Sequence, residues 1–260
     1  MNEKLAIALV GDFKFLRKHF IRIFLEIRNV GNYKGPIVVI TTKLCPTFLI
    51  KFLNKKNQIY ILRFRKIKFS KKTELILNNL ETYQEPNRNK TKKFQWHKLH
   101  LFDERLKNWD KIFYLDINMN IHFELEKILN IKTKNKLLAR ADSFPSYDRE
   151  LATQFDSTNK IYSILSNKYD LNISNYFQTG IMYFDTGIIT SNTKKDILKI
   201  VERFPISTTN EQGVLNLYFI FHINKYEELP PKVDDFTTYF YWKENNEKTI
   251  ITKQNTPQFK

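Results

Sequence analysis

The chain has 260 residues, 42% of them hydrophobic, which suits one large α/β domain or two small ones around a buried core. Its 43 Lys and Arg against 27 Asp and Glu give a formal net charge of +16, a balance that attracts nucleic acid, anionic membrane or phosphorylated ligands without choosing among them. The single cysteine, Cys45, excludes an internal disulfide framework and a cysteine zinc site, and the run Leu5 to Val10 is far too short for a secretion signal or a membrane span. A cytoplasmic setting is the expectation. The text rich in Lys, Asn and Ile fits codon bias in an A/T-rich genome, viral or parasitic, with the protein acting in a host cytoplasm.

In chain order, Leu5 to Val10 is a continuous apolar run, the mark of a strand covered on both faces, and Leu16, Phe20, Ile23, Phe24 and Ile27 follow at helical spacing. Ile37 to Ile40 and Ile59 to Leu62 read as two further strands, with a short helix from Pro46 to Leu53 between them. This rhythm predicts a mostly parallel central sheet flanked by helices. Residues 81 to 93 are polar and aperiodic and read as a loop, and Leu99, Phe102, Leu106 and Trp109 predict an amphipathic helix feeding the strand Ile112 to Leu115. Beyond it, Lys136 to Ala139 and Ile181 to Phe184 read as strands, Asn192 to Phe204 and Glu211 to Phe221 as helices, and Thr249 to Thr252 as a last strand. Tyr239 to Trp242 is an aromatic cluster that reads as core or rim packing.

The stretch KIFYLDINMNI, residues 111 to 121, carries the first chemistry. Ligands of open α/β sheets collect outside the carboxyl ends of strands, which is where Asp116 stands. An acid at 116 and an amide at 118 can reach one hard divalent cation if the chain turns between them, although Asn118 removes a charge that a second acid would supply. The same three residues also read as an Asp-x-Asn turn leaving a sheet. His97 and His100, three apart, suit either a zinc pair or plain structure, and no further ligand cluster accompanies them.

Taken with its neighbours, the stretch from Phe94 to Asn120 resembles the core motif of the glycogenin-like glycosyltransferases, the retaining GT-A enzymes of family eight. In that family a Lys-Leu-(His) helix precedes a strand ending in Asp-x-Asp. Lys98-Leu99-His100 and Asp116-x-Asn118 occupy the matching places. LLARAD, ending in Asp142, resembles the strand whose aspartate lies near the transferred sugar. YFQTGIMYFD resembles the family's glycine-bearing strand, with Gln178 where Asn is usual and Gly180 retained, and NEQGVLN resembles a helix start, with Glu211 for Asp and Gln212 kept. Val10, Gly11 and Asp12 fit the place of the uridine, with Phe15 standing for the usual aromatic. The likeness runs from about residue 4 to about residue 222.

That resemblance implies a single GT-A (Rossmann-like) domain over residues 1–260, with a nucleotide-binding half to about 120 and a sugar and acceptor half beyond. It further implies a UDP-sugar donor, a Mn2+ (or Mg2+) ion at Asp116 and Asn118, a glycan or protein acceptor, and transfer with retention. In it Lys98 adds charge on the donor side, Gly180 permits close approach, and Asp142, Gln178 and Gln212 orient sugar hydroxyls. Glu211 is the carboxylate to watch for a covalent or base role. Nucleic acid is the weaker partner, no transmembrane segment is expected, and homo-oligomerisation stays open. The pattern fails late in the chain: Thr252 stands where the family has a histidine ligand, and the glycine and lysine of its phosphate clamp have no match in TIITKQNTPQFK. An impaired GT-A domain that only binds sugar, nucleotide or protein is therefore the second expectation.

Overall fold

The computed structural model describes residues 4–48, 50, 58–84, 93–240 and 248–253. It opens with β1 (Leu5–Val10), α1 (Phe13–Leu25), β2 (Ile37–Thr42) and β3 (Ile59–Phe64). β1 and β2 are apolar on both faces because both faces are covered. Ala6, Ala8 and Val10 enter one hydrophobic cluster, Ile7 and Leu9 the other. Asp12 starts α1 by accepting the Phe15 N–H at 2.9 Å, and Leu16, Phe20, Ile23 and Phe24 bury one helix face against the sheet. Each such side chain contributes roughly 1.5–3 kcal/mol on burial.

Half of the helix expected over 46–53 falls outside the described residues, as do 85–92 of the expected loop, whose first residues form a short helical turn, Glu81–Gln84. That turn follows α2 (Lys71–Asn79), capped by Ser70. The amphipathic helix expected over 99–109 proves to be two 3-10 segments, Trp96–Phe102 and Glu104–Asn108. Asp103 separates them: its backbone is extended (φ −89°, ψ 142°) and its carboxylate accepts from the Arg105 N–H and guanidinium rather than letting the helix run on.

The remaining strands are β4 (Lys111–Asp116), β5 (Met119–Ile121), β6 (Leu137–Ala141), β7 (Phe177–Asp185), β8 (Tyr226–Glu228), β9 (Lys232–Val233), β10 (Phe236–Phe240) and β11 (Thr249–Lys253). A seven-stranded sheet runs β3-β2-β1-β4-β7-β6-β8, and only β7 opposes its neighbours. It crosses the midpoint of the chain without a break, since β4 pairs with β7. α3 (Thr193–Arg203) and α4 (Glu211–Asn216), which continues as a π turn to His222, pack on the same face as the 3-10 segments. A second sheet, β5-β11-β10-β9, leans on the carboxyl end of β4, because β5 follows β4 after a two-residue turn and pairs with β11.

Candidate functional site

A cleft of about 330 Å3 opens at the carboxyl ends of β4 and β6. Asp116 ends β4 and Asp142 follows β6, so the two parallel strands place a carboxylate on each wall. β7 crosses between them, with Gln178, Thr179 and Gly180 in the lining. A Cβ at Gly180 would come within 2.8 Å of the Met119 methyl and 3.0 Å of the Tyr239 hydroxyl, so only glycine lets β7 and the second sheet meet here.

At the Asp116 wall the chemistry is ionic. The Lys98 ammonium lies 3.0 Å from Asp116 Oδ1 and 3.0 Å from Glu211 Oε1, and donates to the Thr179 carbonyl at 3.2 Å. Asp116 Oδ1 also accepts from the Tyr114 hydroxyl, and Oδ2 faces Lys253 Nζ at 3.2 Å. Burial alone would raise the Asp116 carboxyl, but the Lys98 and Lys253 ammonium groups and the Tyr114 hydroxyl outweigh it and hold the group at about 2. Burial would likewise lower the Lys98 ammonium, and the carboxylates of Asp116 and Glu211 reverse this and hold it above its usual value. Two carboxylates and two ammonium groups thus balance within one cluster.

Local structure sets these positions. Lys98 is carried by the first 3-10 segment, fixed from below by a stack in which His97 lies 4.7 Å from Phe94 and 4.9 Å from His100, itself 4.1 Å from Phe64. Burial, with Lys194 nearby, pushes His97 down to about 4 and His100 to about 3, so both rings are neutral packing groups, the structural alternative weighed for this pair. Glu211 opens α4 directly after Asn210, whose positive φ of 57° turns the chain sharply. The Tyr83 hydroxyl and Gln95 hold the Asn210 side chain in that turn. Glu211 Oε1 accepts from Thr179 Oγ1 at 3.0 Å, while its Oε2 is buried without a hydrogen-bond partner.

At the opposite wall the chemistry is amide and hydroxyl. Gln212 Oε1 accepts the Thr179 N–H at 3.1 Å, Gln212 Nε2 donates to Gln154 Oε1 at 2.8 Å, and Gln154 Nε2 reaches Asp142 Oδ2 at 3.4 Å. Tyr176 donates to the same oxygen at 3.1 Å, and Arg149 lies 3.9 Å from it. Burial raises the Asp142 carboxyl, and Arg149, Tyr176 and Gln212 only partly oppose this. Tyr239, read from sequence as packing, is fully buried and its hydroxyl donates to Gln178 Oε1 at 3.2 Å, so it belongs to the cleft. Tyr241 and Trp242 lie outside the described residues.

Lys98, Asp116, Asp142, Gln178, Gly180, Glu211 and Gln212 come together in the cleft lining. Val10, Gly11, Asp12, Phe15 and Asn118 are not among the lining residues. Val10 is in register with Asp116, so its segment borders the cleft at the end of β1, where Asp12 caps α1 and the Gly11 carbonyl accepts from Thr41. Lys253, Gln154, Arg140, Arg149 and Thr179 also line the site without having been singled out. Only strand alternation carried a signal for Lys253. Thr252, the position aligned with a histidine ligand, points to the other face of β11 and bonds His122 at 2.8 Å, which leaves Lys253 facing Asp116.

A divalent cation at Asp116 and Asn118 does not fit this donor set. Both Asp116 oxygens already face an ammonium group, Asn118 does not line the cleft, and no group of three or more His, Cys, Asp or Glu able to hold a metal occurs among the described residues.

No protein-family model and no curated protein matches the sequence. Solved structures do match its shape. The apo glycosyltransferase GlyE of Streptococcus pneumoniae superposes with a TM-score of 0.61 over 98% of this chain and 57% of its own, at 13% identity. The bifunctional glycosyltransferase WbbM gives 0.61 over 97% and 46%, at 14% identity. The fold is GT-A. The galactosyltransferase LgtC, solved with donor and acceptor sugar analogues, shares it with a TM-score of 0.59 over 97% of this chain and 87% of its own, at 12% identity. This chain spans about half the length of GlyE and WbbM. Among the described residues no helix is long and apolar enough to cross a membrane.

Proposed function

We propose that this chain transfers a sugar from a nucleotide-diphosphate donor, UDP-linked in the first instance, to a hydroxyl of a glycan or protein acceptor with retention at the anomeric carbon. The observation that carries the reading is the division of one cleft into a wall that bears two ammonium groups and a wall where amides and two guanidinium groups accompany Asp142. Lys98 and Lys253 supply positive charge where a diphosphate would lie. Asp142, Gln154, Gln178 and Gln212 match the donors and acceptors of sugar hydroxyls. Glu211 Oε2, buried and without a partner, is an acceptor that a substrate hydroxyl would satisfy. LgtC, solved with sugar analogues, and the mannosyltransferase Ktr4p, solved with GDP, are folded alike. Retention, the uridine at Val10 to Asp12 and Phe15, and the roles of Asp142, Gln178 and Gln212 rest on the family resemblance. The implied Mn2+ or Mg2+ finds no matching ligand set among the described residues, and no step is routed through it.

Residue roles follow from position. Lys98, pinned between Asp116 and Glu211, holds a fixed positive charge toward the departing diphosphate. Gly180 keeps β7 low beneath the sugar, and Tyr239 orients the Gln178 amide. The reading is tested by melting the protein with UDP or GDP and by following hydrolysis of UDP-sugars without acceptor. Ligand at a hundred times its dissociation constant should stabilise the fold by about 2.7 kcal/mol. Absence of any shift with either nucleotide overturns the reading. A non-transferring binding module is the second reading, favoured by the saturation of Asp116 with protein partners, and a UDP shift without hydrolysis of any UDP-sugar would select it.

A further inference from the structure

We infer that Lys253 is the cation of this site: its ammonium group, beside Lys98, contacts the diphosphate of the donor in place of a divalent metal, so that donor binding is metal-independent. The inference rests on the nucleotide-sugar reading above. Three observations carry it. The first is occupancy of Asp116, whose Oδ1 faces Lys98 at 3.0 Å and whose Oδ2 faces Lys253 at 3.2 Å. A metal ion drawn to this carboxylate would have to displace an ammonium that is already paired. Asn118 lies outside the lining, and the Glu211 carboxylate is already paired through Oε1 with Lys98 and Thr179, so a cation shared by Asp116 and Glu211 would have to displace the Lys98 ammonium as well.

The second observation is placement. β11 pairs with β5 so that Lys253 is opposite Met119, three residues beyond Asp116, and strand alternation turns its side chain toward the end of β4. The ammonium group lines the cleft and the side chain keeps 23% exposure, so a phosphate oxygen can reach it without unfolding the strand. The third is charge. Lys98 is 10% exposed and spends its charge on two carboxylates, which leaves Lys253 as the more open of the two ammonium groups at this wall. A Lys ammonium is a compact charge with three donors, well suited to a phosphate oxygen. Arg140 and Arg149 also line the cleft, but Arg140 is paired with Glu228 and bonds the Leu229 carbonyl, and Arg149 lies 3.9 Å from Asp142, so neither is paired with Asp116.

The test uses the whole chain after chelation with EDTA, and calorimetric titration with UDP, GDP and uridine, each with and without Mn2+. Wild-type protein is expected to bind UDP or GDP equally in both conditions. Lys253→Met should lose about tenfold or more in diphosphate affinity, the loss of one charge-assisted contact, while uridine binding stays unchanged and Lys253→Arg restores most of the loss. Lys253→Asp should instead acquire Mn2+ dependence, since it adds the acid that the site lacks. Unchanged uridine affinity shows that the loss is local, since removing Lys253 leaves Asp116 with one ammonium group and should itself lower the melting temperature. Diphosphate binding by the wild type only in Mn2+, or wild-type affinity in Lys253→Met, overturns the inference and leaves the nucleotide-sugar reading standing. No binding of either diphosphate under any condition overturns both.

Discussion

Asp116 and Asp142 stand on opposite walls of one cleft, the first ending a parallel strand and the second just past one, and the protein treats them in opposite ways. Asp116 meets two ammonium groups and a phenol and is held at about 2, ionised at neutral pH. Asp142 meets amides, a hydroxyl and a guanidinium at 3.9 Å, and burial raises it. The difference shows how the same residue type at equivalent strand ends is given two tasks by its neighbours. Asp116 fixes charges in place and is spent in doing so. Asp142 keeps a raised carboxyl bordered by an amide, a hydroxyl and a guanidinium.

Removing the ionic wall should break the contrast with the largest effect. Asp116→Ala leaves Lys98 with Glu211 alone and Lys253 without its carboxylate, and breaking a buried pair typically costs about 3–5 kcal/mol. Urea denaturation at neutral pH should show a loss near the lower end, since Glu211 remains, together with no turnover of any UDP-sugar; full activity would sink the assigned role. Acid titration of stability should separate the walls by sign. The folded pKa of Asp116 is depressed, so its contribution is complete above about pH 4 and disappears as pH falls toward 2, a loss of about 2 kcal/mol. Asp142 is raised, so its protonation favours the folded state and its contribution grows as pH falls through its folded value. Denaturation midpoints of Asp116→Asn and Asp142→Asn across pH 2 to 7 should therefore diverge from wild type in opposite directions.

Between the walls, Gly180→Ala should cost on the order of 1 kcal/mol or more, because the added methyl meets Met119 and Tyr239. It should also raise KM for donor more than it lowers kcat; an unchanged melting temperature would show that β7 has slack. The smallest effect is expected from Asp142→Asn at neutral pH, where stability should move by less than about 1 kcal/mol while discrimination among UDP-sugars changes. A shift in UDP affinity with unaltered sugar preference would place Asp142 at the wrong wall.

Much of this architecture is legible in the sequence where one strong signal acts alone. β1, β2 and β4 are continuous apolar runs because both faces are buried, and α1 shows its face at i, i+4, i+7 and i+8 from Leu16. β8, β9 and β10 are short or mixed in polarity, and their pairing is decided by distant partners rather than by local pattern. Asp103 illustrates a local signal that overrides periodicity: the apolar spacing on either side of it is helical, yet its side chain captures the next turn. At the site, Lys98, Asp116, Asp142, Gly180 and Gln212 are legible because their neighbours resemble known motifs. Lys253 is hidden among 43 basic residues, and a shift of one position along β11 exchanges it with Thr252.

The bond between Asp116 and Lys253 spans 137 positions of the chain. Synthesis places β4, Lys98 and even Glu211 well before β11, so an incompletely made or partly folded chain carries an ionic wall with one ammonium group missing. Loop closure of that length is won only when the second sheet has docked on the first. Completion of the cleft therefore reports on the docking of the second sheet against the first.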